Sequence, residues 1–336
     1  MASTKKSRTK GFPLEKDDLL DMYRQMYLIR EFENASAEQY AMGKVAGFLH
    51  LYIGEEAIAV GSIKAMEEKD HILTHYRDHG YALALGLDPS AVMAELFGKK
   101  TGVTGGRGGS MHLADVSKNF WGGYAIVSGH LLPAVGLGFA SNYFEEDRVV
   151  VCYFGDGATN AGAFHEAMNM AAVWNLPVIF MCENNLYGMG TAVEHVSAVK
   201  EMAKKAQAYD MPSMQLDGQN VIEMYEKTKE ALDHCRSGKG PMFIEALTYR
   251  FRGHSMADPE QYRDRSEIDE YRAYDPIPLF RDRLLEEKVT TEDELEKIHK
   301  AAREEVEAAV KFADESENPD MDSLGDLVYA DPITIR

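Results

Sequence analysis

Two unbroken apolar runs organise this chain, VVVCYF at 149–154 and VIFMC at 178–182. Runs this short, apolar at every position rather than at every second one, predict strands buried on both faces. The first stops at Gly155-Asp156-Gly157. Asn160 is then placed to cap a helix whose inner face is Phe164, Met168, Ala171 and Ala172, at spacings i, i+4, i+7 and i+8. The second run ends in Glu183-Asn184-Asn185-Leu186-Tyr187-Gly188. A strand–helix–strand unit crosses over to give parallel strands, so Asp156 and the Asn184-Asn185 pair emerge at the same edge of the sheet.

The flanking segments extend this into an α/β chain with helices at both ends. Residues 14–42 keep a helical period through Leu19, Tyr23, Met26 and Tyr27, and Gly43 supplies the stop. A break at 47–51 precedes a helix starting near Glu55. Ile72-Leu73-Thr74 reads as strand, a helix follows from about Pro133, and a short strand ends at Gln215-Leu216-Asp217-Gly218. Val221–Arg236 is an amphipathic helix stopped at Gly238, and 242–249 is a strand. Residues 250–259 carry the charge and Gly/Pro content of a loop. From 266 onward the chain is helical and charged, with Thr291-Glu292-Asp293-Glu294 as a capping box opening a helix to about Ala313. The expected division is a disordered basic tail (1–13), an α/β domain (14–265) and a C-terminal helical segment (266–336) packed on that domain or on a partner.

Composition narrows the function. A net charge of −19 over 336 residues argues against nucleic acid and against an anionic membrane surface, and no apolar run is long enough to span a bilayer. Cys152, Cys182 and Cys235 are odd in number, and two fall in predicted core strands, which fits a reducing, cytoplasmic setting. The basic residues Lys5, Lys6, Arg8 and Lys10 lack the apolar or amphipathic stretch of a targeting sequence.

The chemistry lies at the sheet edge. A carboxylate, a side-chain amide and nearby backbone carbonyls form an all-oxygen set suited to Mg²⁺ or Ca²⁺, while the glycines and a helix N-terminus admit a phosphate. These residues describe a metal-bridged diphosphate site, which a non-catalytic Mg²⁺-nucleotide module would share. Asp-Gly and Asn-Asn taken singly read equally well as turns. His71, His75 and His79 stand four apart, yet the strand reading of 72–74 takes them off one helix face, and no acidic or cysteine partner completes a metal set. Six glycines between Gly98 and Gly109, ending in Gly108-Gly109-Ser110-Met111-His112, do not form the GxxxxGK[ST] of a phosphate-binding P-loop and predict a flexible active-site or interface loop.

Gly155-Asp156-Gly157, followed after residues 158–183 by Asn184-Asn185, resembles the thiamin diphosphate fingerprint. With Tyr76-Arg77-Asp78-His79-Gly80, the GGSMH segment and His254-Ser255-Met256-Ala257-Asp258-Pro259, the resemblance runs along nearly the whole chain. It is to the α subunits of the E1 component of 2-oxo acid dehydrogenase complexes, most of all those acting on pyruvate. It implies a doubly wound, mostly parallel thiamin diphosphate-binding fold with N- and C-terminal helical extensions. It also implies Mg²⁺ on Asp156, Asn185 and the carbonyl of Tyr187. Diphosphate contacts are implied for Gly155, Asp156, Gly157, Ala158, Tyr76, Arg77 and His254, with the Arg77 fork bonding two phosphate oxygens at once.

The resemblance further implies His50 and His254 as catalytic candidates, His254 titrating near neutrality, and the backbone of Ile126 and Val127 as the contact to the aminopyrimidine. Here Ala125 stands where the family has glycine, and the loop from Ser128 to Pro133 is one residue longer. Ala257 replaces the serine that is phosphorylated in eukaryotic relatives. The implied reaction is decarboxylation of pyruvate and acetyl transfer to the lipoyl group of an E2 acyltransferase. The implied assembly is α₂β₂, with an E1 β subunit supplying the carboxylate that activates the cofactor. Acetoin and branched-chain 2-oxo acid dehydrogenase α subunits are the neighbouring possibilities.

Overall fold

The computed structural model describes residues 11–323 and residue 325. The basic stretch read as a tail at 1–10 lies outside the described residues. Gly11 to Pro13 do not extend it: Phe12 is buried edge-on against Phe280, 6.3 Å between ring centroids, with the Arg283 guanidinium 4.4 Å from its ring.

The strands are β1 (His71–His75), β2 (Phe120–Tyr124), β3 (Val150–Gly155), β4 (Val178–Asn184), β5 (Tyr187–Gly188), β6 (Thr191–Ala192), β7 (Ser213–Asp217) and β8 (Met242–Leu247). Six of them form one sheet in the order β2-β1-β3-β4-β8-β7, every neighbouring pair parallel, while β5 and β6 make a small antiparallel hairpin. Val151, Tyr153, Ile179 and Met181 enter one apolar core, and Val150, Cys152, Phe154, Val178, Phe180 and Cys182 enter the other. Successive side chains point to opposite faces and both faces are covered, which is why the runs are apolar throughout.

The helices are α1 (Lys16–Ala41), α2 (Glu56–Ala65), α3 (His79–Ala84), α4 (Pro89–Leu96), α5 (Leu131–Tyr143), α6 (Gly162–Val173), α7 (Val193–Val196), α8 (Val221–Arg236), α9 (Arg265–Arg272), α10 (Pro276–Glu286) and α11 (Glu292–Glu315). Met42 caps α1, and Gly43 follows in the left-handed region at φ 76°. Thr291 caps α11 by accepting from the Glu294 N–H, as the capping box predicts, but the Glu294 carboxylate turns to Thr290 and Lys16 instead of closing the box. Buried Leu295, Ala302, Val306 and Ala309 set α11 against α1 and α4.

Two expectations are corrected. Asn160 is not the cap of α6, because a 3-10 turn (Asp156–Asn160) intervenes and Ala161 occupies the cap position. The Thr159 hydroxyl donates to the Asp156 carbonyl at 2.6 Å, which closes that turn, and the Asn160 side chain accepts from Lys205. The glycine-rich segment is not a loose loop. It wraps the buried carboxylate of Glu95 on α4, which accepts from the N–H groups of Thr104, Gly106, Gly108 and Gly109 at 2.8–3.0 Å.

β1 is followed by β2 on one side and β3 on the other, so the strand order reverses between β1 and β3. In an open parallel sheet the carboxyl ends at such a reversal part and leave a crevice.

Candidate active site

A cleft of about 350 Å³ opens at that reversal. The end of β1 lends it His75, Tyr76 and Arg77, the end of β3 Gly155 to Ala158, the end of β4 Glu183 and Asn185, and the chain just past β8 Arg250. Register sets the alignment. Gly155 pairs with Glu183 across β3 and β4, so Asp156 and Asn184 leave the sheet level with each other. The chain then turns through Leu186 at φ 72°, a conformation costly for leucine, and Asn185 and Tyr187 on either side of it both line the cleft. Gly157 and Gly188 face each other so closely that a Cβ on Gly157 would sit 3.3 Å from the Gly188 Cα. Side chains there would fill the cleft.

Burial pushes the Asp156 carboxyl up to about 7, against the pull of its own backbone N–H, Arg250 and the Asn185 N–H. With Asn185 and the Tyr187 carbonyl it offers oxygen donors of the kind a hard divalent ion takes. Two guanidinium groups border the same space. Arg77 is buried and already donates to the carbonyls of Leu51 (2.6 Å) and His254 (3.0 Å), with its Nε 3.4 Å from Glu55. The fork is therefore shared with backbone carbonyls, which does not take away the two N–H groups that bonding two phosphate oxygens needs. Each terminal nitrogen keeps one N–H. Arg250, buried to 1% exposure, donates to the carbonyls of Tyr187 and Met189 and to the Tyr262 hydroxyl. Burial first, and Arg77 second, hold its guanidinium below the usual arginine range, so an anion between the two is favoured.

The remaining predicted residues divide. Val127 lines the cleft, but Ile126 is 77% exposed and outside it. His50 and His254 do not line the cleft directly. They pack on Tyr76, which does, at 4.5 Å and 5.6 Å between ring centroids, and stand 5.0 Å from each other. Burial and the adjacent Arg77 push His50 down to about 2 and His254 to about 3. Both rings are neutral at neutral pH, which corrects the expectation of near-neutral titration for His254.

Sequence reasoning missed Glu183, Arg250 and Glu55. The Glu183 carboxylate, at the cleft floor, accepts from Tyr52, Tyr81 and the His75 imidazole. His75 Nδ1 accepts from the Arg77 N–H, which leaves its proton on Nε2 for Glu183. Glu183 and Arg250 had a signal, since both stand at or just past the carboxyl end of a parallel strand. Glu55 had none. It is fully buried beside Arg77 and Asn185, and burial raises its carboxyl against the pull of Arg77.

The dehydrogenase E1 component family matches this chain over residues 24–322. The chain belongs to that family. It is 46% identical over 310 residues to the pyruvate dehydrogenase E1 component subunit alpha of Rhizobium meliloti, covering 92% of this chain and 89% of the relative. The subunit of the same name from Porphyra purpurea is 42% identical over 325 residues, covering 95% and 94%. The chloroplastic subunit alpha-3 of Arabidopsis thaliana is 43% identical over 325 residues, covering 95% of this chain and 76% of the relative. Membership of the E1 family implies thiamin diphosphate as cofactor. Among the described residues no helix is long and apolar enough to cross a membrane.

Proposed function

We propose that this chain is the α subunit of a pyruvate dehydrogenase E1 and that the cleft at the strand reversal holds the diphosphate end of thiamin diphosphate through Mg²⁺. The observation that carries the reading is the convergence of Asp156, Asn185 and Tyr187 with Arg77 and Arg250 on one cleft. The residues fit the group: oxygen donors for the ion, two buried cations for the diphosphate charge, and a closely facing glycine pair in the cleft lining. When bound, thiamin diphosphate supplies the carbon nucleophile and electron sink that a 2-oxo acid needs to lose CO₂.

The chain's own residues hold and orient. Asp156, Asn185 and the Tyr187 carbonyl would take Mg²⁺, and Arg77 would offer phosphate oxygens its two remaining terminal N–H groups. Arg250, whose other four N–H groups are bonded to protein oxygens, would offer one N–H and its charge. The backbones of Gly155, Gly157 and Ala158 approach the diphosphate, and Val127 with Phe154 forms the apolar wall. His50 and His254, neutral and flanking Tyr76, serve as hydrogen-bonding groups at the cleft margin rather than as cationic acids. An E1 β subunit in an α₂β₂ assembly would supply the carboxylate that activates the cofactor, and the lipoyl group of an E2 acyltransferase would be the acetyl acceptor. The three buried, unpaired cysteines fit a reducing compartment, and the cytoplasm is the location this reading carries.

The test is copurification of the chain with its partner, then assay of the assembly with pyruvate, acetoin and branched-chain 2-oxo acids. Pyruvate is expected to give the highest kcat/KM, and the isolated chain to be inactive. Preference for acetoin, or substantial turnover by the chain alone, would overturn the reading.

A further inference from the structure

The Asn185 amide has two unlike ends: an oxygen that ligates a cation and an NH₂ that repels one. Which end faces the ion decides whether the site takes a metal. In the structure the NH₂ is occupied. Asn185 Nδ2 donates to Glu55 Oε1 at 2.9 Å, and the Tyr187 N–H approaches Oδ1 at 3.4 Å. Glu55 stands at the cap position of α2 with no exposed surface, and its second oxygen lies 3.4 Å from Arg77 Nε and has no hydrogen-bond partner among the described residues. A fully buried carboxylate with so little compensation is costly, and in some proteins such groups are kept because they specify one arrangement over another. An ionised carboxylate only accepts, so it tolerates only the NH₂ end of its neighbour.

We propose that Glu55 is a positioning residue for the metal: it fixes the Asn185 amide with Oδ1 toward the cation and ties that setting to Arg77 at the end of β1. The proposal rests on the reading of the cleft given above. It has a consequence that charge counting does not. Asn185→Asp adds a negative charge to the metal site, which by itself tightens a divalent ion, yet here the new carboxylate faces Glu55 with no hydrogen to donate. The substitution therefore weakens the metal. Exchanging the roles restores it, because in Glu55→Gln/Asn185→Asp the glutamine amide donates to the aspartate and leaves its second oxygen for the ion.

Calorimetric titration of Mg²⁺ into the full chain assembled with its β-type partner, at saturating thiamin diphosphate, reads this directly. Outer partners of metal ligands are worth about 10–100-fold in affinity. Glu55→Leu and Asn185→Asp are each expected to weaken Mg²⁺ by about that factor, and the double variant to recover most of it. A merely structural Glu55 would lower the thermal midpoint of the metal-free assembly in every Glu55 variant and give no recovery. Asn185→Asp binding Mg²⁺ as tightly as the wild type, or the double variant binding no better than Asn185→Asp, overturns the proposal alone. A wild-type assembly that binds no Mg²⁺ with the cofactor overturns the reading of the cleft, and this proposal with it.

Discussion

The two sides of the cleft are built differently. On the sheet side, Asp156, Asn185 and Tyr187 leave the ends of β3 and β4, and their spacing follows from the Gly155–Glu183 register and the turn at Leu186. On the loop side, position depends on charged side chains reaching back to backbone. Arg77 spans the carbonyls of Leu51 and His254, Arg263 those of Arg250 and Arg252 at 2.6 Å each, and Asp258 accepts from the His254 N–H and the Tyr262 hydroxyl. The sheet side is as rigid as the sheet itself. The loop side is held by a handful of bonds and can be dismantled without touching the strands.

That difference predicts separable losses. The largest is expected at Asp156, the one charged oxygen donor among Asp156, Asn185 and Tyr187. Asp156→Ala should weaken Mg²⁺-dependent cofactor binding by more than about 100-fold, beyond the loss of an outer partner. The thermal midpoint of the metal-free protein should not fall, because a buried carboxyl pushed up to about 7 is removed. Calorimetry and a melting curve decide it, and unchanged affinity would remove the sheet side from the site. A smaller effect is expected from Arg263→Met. Leaving the buried Arg250 carbonyl without its donor, and the Arg252 carbonyl with the Arg250 Nε–H alone, costs about 1–3 kcal/mol. Protease cleavage within residues 250–263 should accelerate and turnover should fall, while Mg²⁺ affinity moves little. Equal loss of metal affinity would show that the two sides are not separable.

The same division explains what was legible in the sequence. β3, β4, Asp156 and the asparagine pair could be read because apolar runs and glycine turns are local patterns, and α8 was read to its observed ends for the same reason. Arg250 was read only as part of a loop, since its place past a strand end gives no sign that its carbonyl will accept from Arg263 and its guanidinium donate to Tyr262. The glycines at 98–109 looked mobile because glycine composition reports freedom of the isolated chain. A single buried carboxylate, Glu95, removes that freedom by collecting four N–H groups. Glu183 meets Tyr52 across 131 positions and Tyr81 across 102, distances at which no periodicity carries information.

The smallest expected effect is in acid stability, where the two sides act with opposite sign in the metal-free protein. On the loop side, His50 is pushed down to about 2 by burial and Arg77, against about 6.5 in the unfolded chain. Below pH 6.5 the unfolded chain therefore binds a proton that folded His50 does not, so stability complete above pH 6.5 is lost as pH falls. One proton amounts to about 1.4 kcal/mol per pH unit. His254 acts in the same direction, more weakly because it is more open to solvent screening. On the sheet side, Asp156 is pushed up to about 7 against about 3.9 unfolded, so the folded state takes up the proton first and gains stability as pH falls from 7. Urea midpoints between pH 7.5 and pH 5 separate the two. His50→Gln should flatten the acid loss by up to about 2 kcal/mol at pH 5, whereas Asp156→Asn should steepen it. Curves parallel to the wild type in both variants would mean that neither side of the cleft buries its titrating group.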